Sequence, residues 1–289
     1  MKKKYLFYDN ILRGGGVGHT LFTYNKGLKK AINSEQIFLP STMILGHGCG
    51  DNGFAEAALG LPLSPPLRSI IRDSFPHEIE HVPYTPSTSS EVEEDFSLTR
   101  DYFLSHYKNR KIVSDNHLYS SPINITMTIR RGDIACGKQI YGNVHPMTDR
   151  LLPDSYFQEV LEYVLEAHQI KDFYLTIYSD ADMKELWLEK GKPFDGDWKE
   201  NYVNEKCEPI DIYKLFNKYK GRVNYFPSQA SAPNTLAQIQ NCIASDICIA
   251  SISGFSELIS LYKTTGLIIF PSTHRRSLAP KENTIYYDC

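Results

Sequence analysis

The chain has 289 residues, of which 42% are hydrophobic and 22% are charged, as is typical of a soluble globular protein long enough for two domains. A formal charge of −3 and a pI near 6.3 argue against a nucleic-acid-binding protein, and no apolar run has the length of a membrane span. The basic N-terminus reaches Asp9 after a short apolar stretch, which makes it a poor signal peptide and favours a cytoplasmic location.

The cysteines are scattered along the chain without C-x-x-C pairs or metal-ligand spacing. They are Cys49, Cys136, Cys207, Cys242, Cys248 and Cys289. We therefore expect free thiols in a reducing cytosol and no transition-metal site. His47, Cys49 and Asp51 lie together among glycines, but no fourth ligand accompanies them, so we predict no metal there either.

The first elements along the chain are predicted to be a strand at 4–10, a glycine-rich loop and a helix at 19–33. The helix has an apolar face, formed by Leu21, Tyr24, Leu28 and Ile32. A strand, a glycine loop and a helix in this order direct backbone N–H groups toward an anion.

The glycine loop matches no known phosphate-binding loop. A Walker A loop needs a Lys where His19 stands, and the dinucleotide fingerprint needs a glycine there. Four glycines within residues 14–18 nevertheless exceed what a tight turn with positive φ requires. We therefore expect a ligand to approach the backbone at Gly15, Gly16 and Gly18.

The next part of the chain is harder to assign. Residues 37–83 are irregular and rich in Gly and Pro, and residues 83–95 form a polar stretch that predicts an exposed loop or lid. Residues 96–110 predict a helix with one buried side, formed by Phe96, Thr99, Phe103 and Tyr107. A polar junction at 114–122 follows, and we place a domain boundary there, giving domains 1–118 and 119–289.

The second half predicts strands that alternate with helices, a pattern typical of a parallel, doubly wound sheet. The predicted strands cover 123–129, 172–179, 223–226, 247–251 and 267–270. The predicted helices begin at Pro153 and cover 181–189, 210–219, 233–241 and 254–262. The apolar side of the helix after Pro153 is expected to include Tyr156, Val160, Tyr163 and Val164.

The strand at 123–129 alternates apolar and polar residues, which predicts one apolar face, and it leads directly to Arg130, Arg131 and a Gly132-Asp133 turn. Ligands of open α/β sheets bind beyond the carboxyl ends of the strands. Two guanidiniums at that position make a candidate phosphate site, because their planar forks bind phosphate bidentately.

Two other predicted strand ends carry polar residues. Ser179 and Asp180 follow one strand, and a serine-rich turn at 251–257 follows another and opens a helix. Ser253 is placed to cap that helix, whose N-terminus favours an anion. Carboxyl ends of parallel strands share one edge, so we expect these groups to converge on a cleft for a phosphorylated ligand.

Four segments resemble motifs of the fucosyltransferase-like superfamily, which includes bacterial α-1,2- and α-1,6-fucosyltransferases and protein O-fucosyltransferases. Ile129–Asp133 resembles the signature H-x-R-R-G-D, and Gly15–His19 resembles the loop G-G-x-G-N-Q. Tyr178–Asp182 is similar to the segment F-S-D-D. Asn241–Asp246 and Ala250–Ser256 together resemble the family's last block, in which small residues and serines precede a helix.

The resemblance implies a GT-B architecture, with two Rossmann-like domains facing a central cleft, and an inverting, metal-independent transfer of a sugar from a nucleotide donor to a glycan. It requires no cofactor. Arg130 and Arg131 would bind the diphosphate, and Asp180 would lie near the nucleoside. The donor site implied comprises Gly15, Gly16, Gly18, Arg130, Arg131, Asp133, Ser179, Asp180, Ser253, Gly254 and Ser256.

The catalytic residues expected are Arg130 and His19, whose imidazole would take the acceptor's proton. His19 could instead start the helix or contact a phosphate, and the rival bases are Asp9, His145 and Asp149.

The sequence departs from the family at two positions, since Thr128 and His19 stand where the family has His and Asn. The donors compatible with the sequence are thus GDP-fucose and other sugar nucleotides, such as UDP-xylose or GDP-rhamnose. Two other functions stay open: a different α/β enzyme for a phosphorylated ligand, such as an NAD-linked oxidoreductase, and a non-catalytic sugar- or nucleotide-binding protein.

Overall fold

The computed structural model describes residues 4–8, 17–41, 43, 53–62, 78–82, 95–113, 123–131, 150–179, 212–219, 222–227, 232–273 and 278–288. The chain divides into two compact units, Met1–Ile112 and Val113–Cys289. The predicted boundary between residues 118 and 119 lies outside the described residues, as do the predicted helix at 181–189 and the loop at 83–94. No helix in the described ranges is long and apolar enough to cross a membrane.

The first unit contains a parallel sheet of three strands, paired in the order β2-β1-β3. The strands are β1 (Lys4–Tyr8), β2 (Ile37–Pro40) and β3 (Glu78–Val82), and the helices are α1 (Val17–Asn33), α2 (Phe54–Leu59) and α3 (Arg100–Tyr107). The sequence predicted no element between residues 37 and 83, although β2, α2 and β3 lie there. These elements have four to six residues each, too few for a periodic pattern to show.

The buried stripe of α1 differs from the predicted one at its end. Leu21, Tyr24 and Leu28 are buried as predicted, but Ile32 is 40% exposed. Ala31 continues the stripe instead and packs with Leu6 of β1, since the helical repeat of 3.6 residues brings position 31 to the sheet. Of the helix predicted at 96–110, the structure shows α3 (Arg100–Tyr107), and the four residues predicted to be buried are buried although Phe96 and Thr99 precede the helix.

The second unit alternates strands and helices through to its last strand. Its strands are β4 (Ile123–Ile129), β5 (Phe173–Ser179), β6 (Val223–Pro227), β7 (Ile247–Ile249), β8 (Leu267–Pro271) and β9 (Thr284–Tyr287). Its α-helices are α4 (Asp154–Ala167), α5 (Ala232–Ala244) and α6 (Gly254–Tyr262), and 3₁₀ helices cover Ile212–Tyr219 and Lys281–Asn283. The helix predicted at 210–219 is therefore a 3₁₀ helix, and β9 was not predicted.

The six strands of this unit form one parallel sheet in the order β6-β5-β4-β7-β8-β9. Numbered from β4, this is the order 3-2-1-4-5-6 of Rossmann-like sheets. The structure thus confirms an α/β fold with parallel sheets. The order reverses between β4 and β7, where Met127 pairs with Ile249.

One face of the six-stranded sheet is apolar and packs against α4 and the first 3₁₀ helix. The buried residues of this core include Ile125, Met127, Ile129, Tyr156, Phe157, Val160, Leu161, Val164, Leu175, Ile177, Phe216 and Ile249. Tyr163 of α4, which we predicted to be buried, is 40% exposed. Its ring lies 5.2 Å from that of Tyr287, because the unpredicted strand β9 forms the edge of the sheet there.

The opposite face of the sheet packs against α5 and α6 and carries buried polar groups. Thr126 Oγ1 lies 2.8 Å from Ser245 Oγ, and Asn241 Nδ2 donates to the Tyr178 hydroxyl at 2.9 Å. The predicted apolar face of β4 is therefore present, and the polar face of the strand is buried as well. A central strand of a parallel sheet has helices on both faces, and the threonine hydroxyls of β4 are satisfied by serines.

A fully buried lysine closes the carboxyl end of α5. Lys263 Nζ donates to the carbonyl oxygens of Cys242 and Ile243, both at 3.2 Å, and to that of Ser245 at 2.5 Å. Burial lowers the pKa of Lys263. The last carbonyls of a helix have no partner within it, so this ammonium satisfies them and holds α5 against the sheet.

Gly266 is a position where we predict that any side chain destabilises the second unit. Its φ is +70°, and a Cβ there would lie 2.3 Å from the carbonyl oxygen of Asp246, which accepts the Leu267 N–H at 2.8 Å. Gly266→Ala should therefore lower the free energy of unfolding by at least about 1–3 kcal/mol in urea denaturation. Thr265→Ala, at the exposed neighbouring position, should change the free energy of unfolding by less than about 0.5 kcal/mol. Equal effects of the two substitutions would contradict the claim that position 266 requires glycine.

Candidate functional site

The reversal of strand order between β4 and β7 defines the candidate site. In sheets of this order, the connections after the two adjacent strands run in opposite directions, and ligands bind in the crevice at their carboxyl ends. In this chain β4 continues into Arg130 and Arg131, whereas β7 continues into Ser251 and the start of α6. Both predicted anion-binding segments of the second unit therefore lie at the reversal point.

Arg131 is buried, and its guanidinium is hydrogen-bonded to other groups of the protein. Its side chain is 3% exposed, its Nη1 donates to the Arg130 carbonyl at 2.9 Å, and its Nη2 donates to Asp154 at 2.5 Å. The guanidinium also lies 5.4 Å from the centroid of the Phe157 ring. These contacts fix the chain after β4 to the N-terminus of α4. Arg130, by contrast, is only half-buried.

The start of α6 is capped by Ser253, as predicted. The Ser253 side chain accepts the backbone N–H of Ser256 at 3.1 Å, and its Oγ lies 3.0 Å from the Ser256 hydroxyl. Gly254 is the first residue of the helix. Ser256 is fully buried, whereas Ser253 and Gly254 are half-buried, so Ser253 is the hydroxyl of this turn nearer to solvent.

Thr128 joins the two strand ends, which the sequence analysis did not foresee. Its Oγ1 accepts the Ser251 N–H at 3.2 Å and lies 3.3 Å from Ser256 Oγ, and its side chain is 4% exposed. In the sequence alone, Thr128 is only a departure from the family signature. The signal that could have revealed it is the run of polar residues on the second face of β4, opposite a serine-rich turn.

Ser179, predicted to bind the donor, is buried in the sheet. Its hydroxyl donates to the Ile129 carbonyl at 2.8 Å and so ties the end of β5 to the end of β4. This hydrogen bond holds the backbone just before Arg130. In the structure, Ser179 thus supports the end of β4. A role of Ser179 in binding the donor stays a prediction.

The structure describes only some of the remaining residues that were predicted to form the site. Helix α1 begins at Val17, so Gly18 and His19 lie in its first turn, where Gly18 is buried and His19 is exposed. The roles of Gly18 and His19 stay predictions. Several predicted residues lie outside the described part of the chain, namely Asp9, Gly15, Gly16, Asp133, His145, Asp149 and Asp180. Within the described ranges, no group of three or more His, Cys, Asp or Glu side chains could hold a metal ion.

No protein-family model matches this chain, and no curated protein matches its sequence. The resemblance to fucosyltransferase-like enzymes therefore depends on the four motifs alone. At the reversal point the structure places an arginine after one strand end and a capped helix N-terminus after the next.

We predict that Asp154 is required to hold Arg131. Asp154→Asn removes the charged acceptor of a buried guanidinium, so the free energy of unfolding should fall by about 1–2 kcal/mol. Glu159→Gln, at an exposed position of the same helix, is the matched control and should change it by less than about 0.5 kcal/mol. The measurement is urea denaturation, and equal stabilities of the two variants would show that the ion pair does not support this strand end.

Proposed function

We propose that this chain is a glycosyltransferase of GT-B architecture that transfers a sugar, with inversion, from a nucleoside diphosphate donor to a glycan hydroxyl. The observation that carries the proposal is the position of Arg130 and the α6 N-terminus on either side of the point where the strand order reverses. The four motifs that resemble the fucosyltransferase-like superfamily support the same function.

The chemistry expected at this site needs positive potential that is fixed in place. When the bond between the sugar and the diphosphate breaks, negative charge builds up on the leaving diphosphate. A guanidinium and the N–H groups of a helix N-terminus stabilise that charge without having to reorganise. Arg130 supplies the first group and the turn at Ser253–Gly254 the second, so the leaving group has favourable partners at both strand ends.

The contacts of Arg131 suggest different roles for the two arginines. Arg131 has both terminal nitrogens on protein acceptors, one of them the carbonyl of Arg130. We therefore assign diphosphate binding to Arg130 and give Arg131 the role of holding the backbone of Arg130 in position. This differs from the initial expectation that both arginines bind phosphate.

The Rossmann-like strand order also occurs in NAD-linked oxidoreductases, but the turn after β4 disfavours that function. A dinucleotide-binding sheet needs closely spaced glycines after its first strand, so that the backbone can approach the pyrophosphate. Here that turn is Arg130-Arg131-Gly132-Asp133, in which bulky side chains occupy the first positions. A non-catalytic nucleotide-sugar-binding protein remains the alternative, and an assay of sugar transfer separates the two.

The donor sugar is left open in this proposal. Thr128 and His19 replace two residues of the family motifs, so GDP-fucose, GDP-rhamnose and UDP-xylose are all candidates. We retain His19 as the proposed base. Incubating the full chain with each donor and a mixture of glycan acceptors, while following nucleoside diphosphate release and glycan mass, tests the function. Binding of a donor without any transfer would favour the non-catalytic alternative.

We predict that Arg130 is required for turnover. Arg130→Ala should reduce kcat by about 10²- to 10³-fold, the usual effect of removing one preorganised donor, while the fold persists. Arg130→Lys should also be impaired, because an ammonium cannot present a bidentate fork. Arg222→Ala, at the amino end of β6, is the control and should retain activity. A Lys variant with near-normal turnover would contradict this assignment.

We also predict that transfer persists in EDTA. The proposed site supplies its positive charge from Arg130 and from a helix N-terminus, as metal-independent transferases of the resembled family do. Initial rates measured with and without EDTA should agree within error. If chelation abolishes transfer and Mg²⁺ or Mn²⁺ restores it, Asp180 and Asp182 become the candidate ligands and the GT-B proposal fails.

A further inference from the structure

Gln238 of α5 is a buried polar residue whose amide has no hydrogen-bond partner in the described part of the chain. The residue is 8% exposed, and its amide contributes to that exposed part, because neither amide atom is fully buried. Other buried amides of α5 are paired. Gln240 Oε1 accepts the Val113 N–H at 2.9 Å, and Asn241 Nδ2 donates to the Tyr178 hydroxyl at 2.9 Å. Since buried polar groups are nearly always paired, the amide of Gln238 requires an explanation.

The helical repeat places Gln238 on the side of α5 that faces the sheet. Asn241 and Ser245, three and seven positions later, share that side of the helix. Asn241 bonds the Tyr178 hydroxyl of β5, and Ser245 Oγ lies 2.8 Å from Thr126 Oγ1 of β4. Gln238 therefore faces the same two strands, one helical turn before these contacts.

The turn of α5 that carries Gln238 lies toward the carboxyl edge of the sheet. Helix α5 runs antiparallel to β4, because just after its end the Asp246 N–H donates to the Asn124 carbonyl, near the start of β4, at 3.0 Å. Earlier residues of the helix are thus closer to the carboxyl ends of the strands. One turn before Gln238, Asn234 is exposed, so Gln238 lies where the helix leaves the sheet.

Gln238 lies close to the level of Arg130 along the sheet. From Ser245, which meets Thr126, the seven helical residues back to Gln238 span about 10 Å. The four strand residues from Thr126 to Arg130 span about 13 Å. Helical side chains tilt toward the N-terminus of their helix, which brings the Gln238 amide still closer to the level of Arg130.

Arg130 belongs to the face of the sheet that carries α5. The guanidinium of Arg131 lies 5.4 Å from the centroid of the Phe157 ring, in the core formed by α4 on the opposite face. Successive side chains of an extended chain alternate between the two faces, so Arg130 is directed to the face of α5 and α6. Gln238 and Arg130 therefore lie on the same side of the crevice.

The chemistry of an amide indicates which part of a nucleotide donor it binds. A phosphate oxygen only accepts hydrogen bonds, so it would pair with the NH₂ of Gln238 and leave the C=O facing an anion. A hydroxyl group both donates and accepts, and so it suits both halves of the amide. In a nucleoside diphosphate sugar, a ring with hydroxyl groups adjoins the diphosphate on either side, namely the ribose and the transferred sugar.

We propose that Gln238 is a specificity-determining residue whose amide binds a hydroxyl group of a sugar ring next to the diphosphate held by Arg130. This inference rests on the proposed function for the class of ligand. It adds the contact that distinguishes a diphosphate carrying a sugar ring from inorganic pyrophosphate, and it accounts for a buried amide without a partner among the described residues.

The experiment compares Gln238→Leu with the wild-type full chain by calorimetric titration of inorganic pyrophosphate, GDP, UDP, GDP-fucose and UDP-xylose. Leucine has a similar volume but leaves the ligand hydroxyl unpaired in a buried site. Affinity for the ligands with a sugar ring should therefore fall by about 5- to 100-fold, and affinity for pyrophosphate should not change. A loss with GDP or UDP assigns the ribose, and a loss only with the nucleotide sugars assigns the transferred sugar.

Stability separates this role from a structural one. Because no described protein group pairs with the Gln238 amide, Gln238→Leu should leave the midpoint of urea denaturation unchanged or raise it. Gln240→Leu is the matched control, since Gln240 is similarly buried on the same helix but accepts the Val113 N–H. It should lower the midpoint and leave every affinity unchanged.

The 2′,3′-dideoxy analogue of GDP or UDP tests whether a loss seen with the parent nucleotide involves the ribose hydroxyls. Gln238→Leu should then bind the analogue as tightly as the wild type does, and a full loss with the analogue would place the amide on the base and overturn the inference. Unchanged affinity for every ligand, an equal loss with pyrophosphate, or a wild-type chain that binds none of the ligands would also overturn it. The expected affinities without any sugar transfer would overturn only the proposed function.

Discussion

The reversal of strand order between β4 and β7 is the constraint on which the second unit depends. Two adjacent parallel strands whose connections run in opposite directions leave their carboxyl ends uncovered. The backbone there must be held by other groups, and in this chain three contacts do so. Ser179 bonds the last carbonyl of β4, Arg131 bonds the next carbonyl, and Thr128 bonds the first N–H of the turn after β7.

These contacts share one property, which is that buried side chains of the protein hold backbone groups next to the crevice. Arg131 is the most costly of them, since a buried guanidinium needs its partners Asp154 and the Arg130 carbonyl to offset desolvation. The backbone that carries Arg130 is therefore tied to the end of β5 and to the start of α4. In the proposed transfer, donors that are already in place would need no reorganisation when charge develops on the leaving group.

The sequence predicted the regular parts of this fold well, for physical reasons that can be stated. Helix α6 was predicted with its observed ends, because a serine cap and a dense apolar run mark them. The short elements β2 and β3 and the late strand β9 were missed, because four or five residues carry too little periodicity. The burial of the polar face of β4 was not predicted, since threonine is polar in sequence but is buried here beside serine hydroxyls.

The position of the candidate segments at strand ends was predictable from the sequence, but the burial and contacts of their individual residues were not. Arg130 and Arg131 are adjacent and chemically identical, and only tertiary contacts distinguish the buried one from the half-buried one. Ser253 and Ser256 are likewise both serines of one turn, yet one is fully buried. Sequence gives the types of groups and their order, whereas burial and hydrogen-bond direction depend on the neighbouring strands and helices.

The most direct test of this account is a crystal structure of the full chain with a nucleoside diphosphate. The account predicts the diphosphate at the carboxyl ends of β4 and β7, with its oxygens within hydrogen-bond distance of the Arg130 guanidinium and the Ser253 hydroxyl, and with Arg131 still on Asp154. A diphosphate bound away from these strand ends, or held by Arg131 after it has left Asp154, would contradict the account.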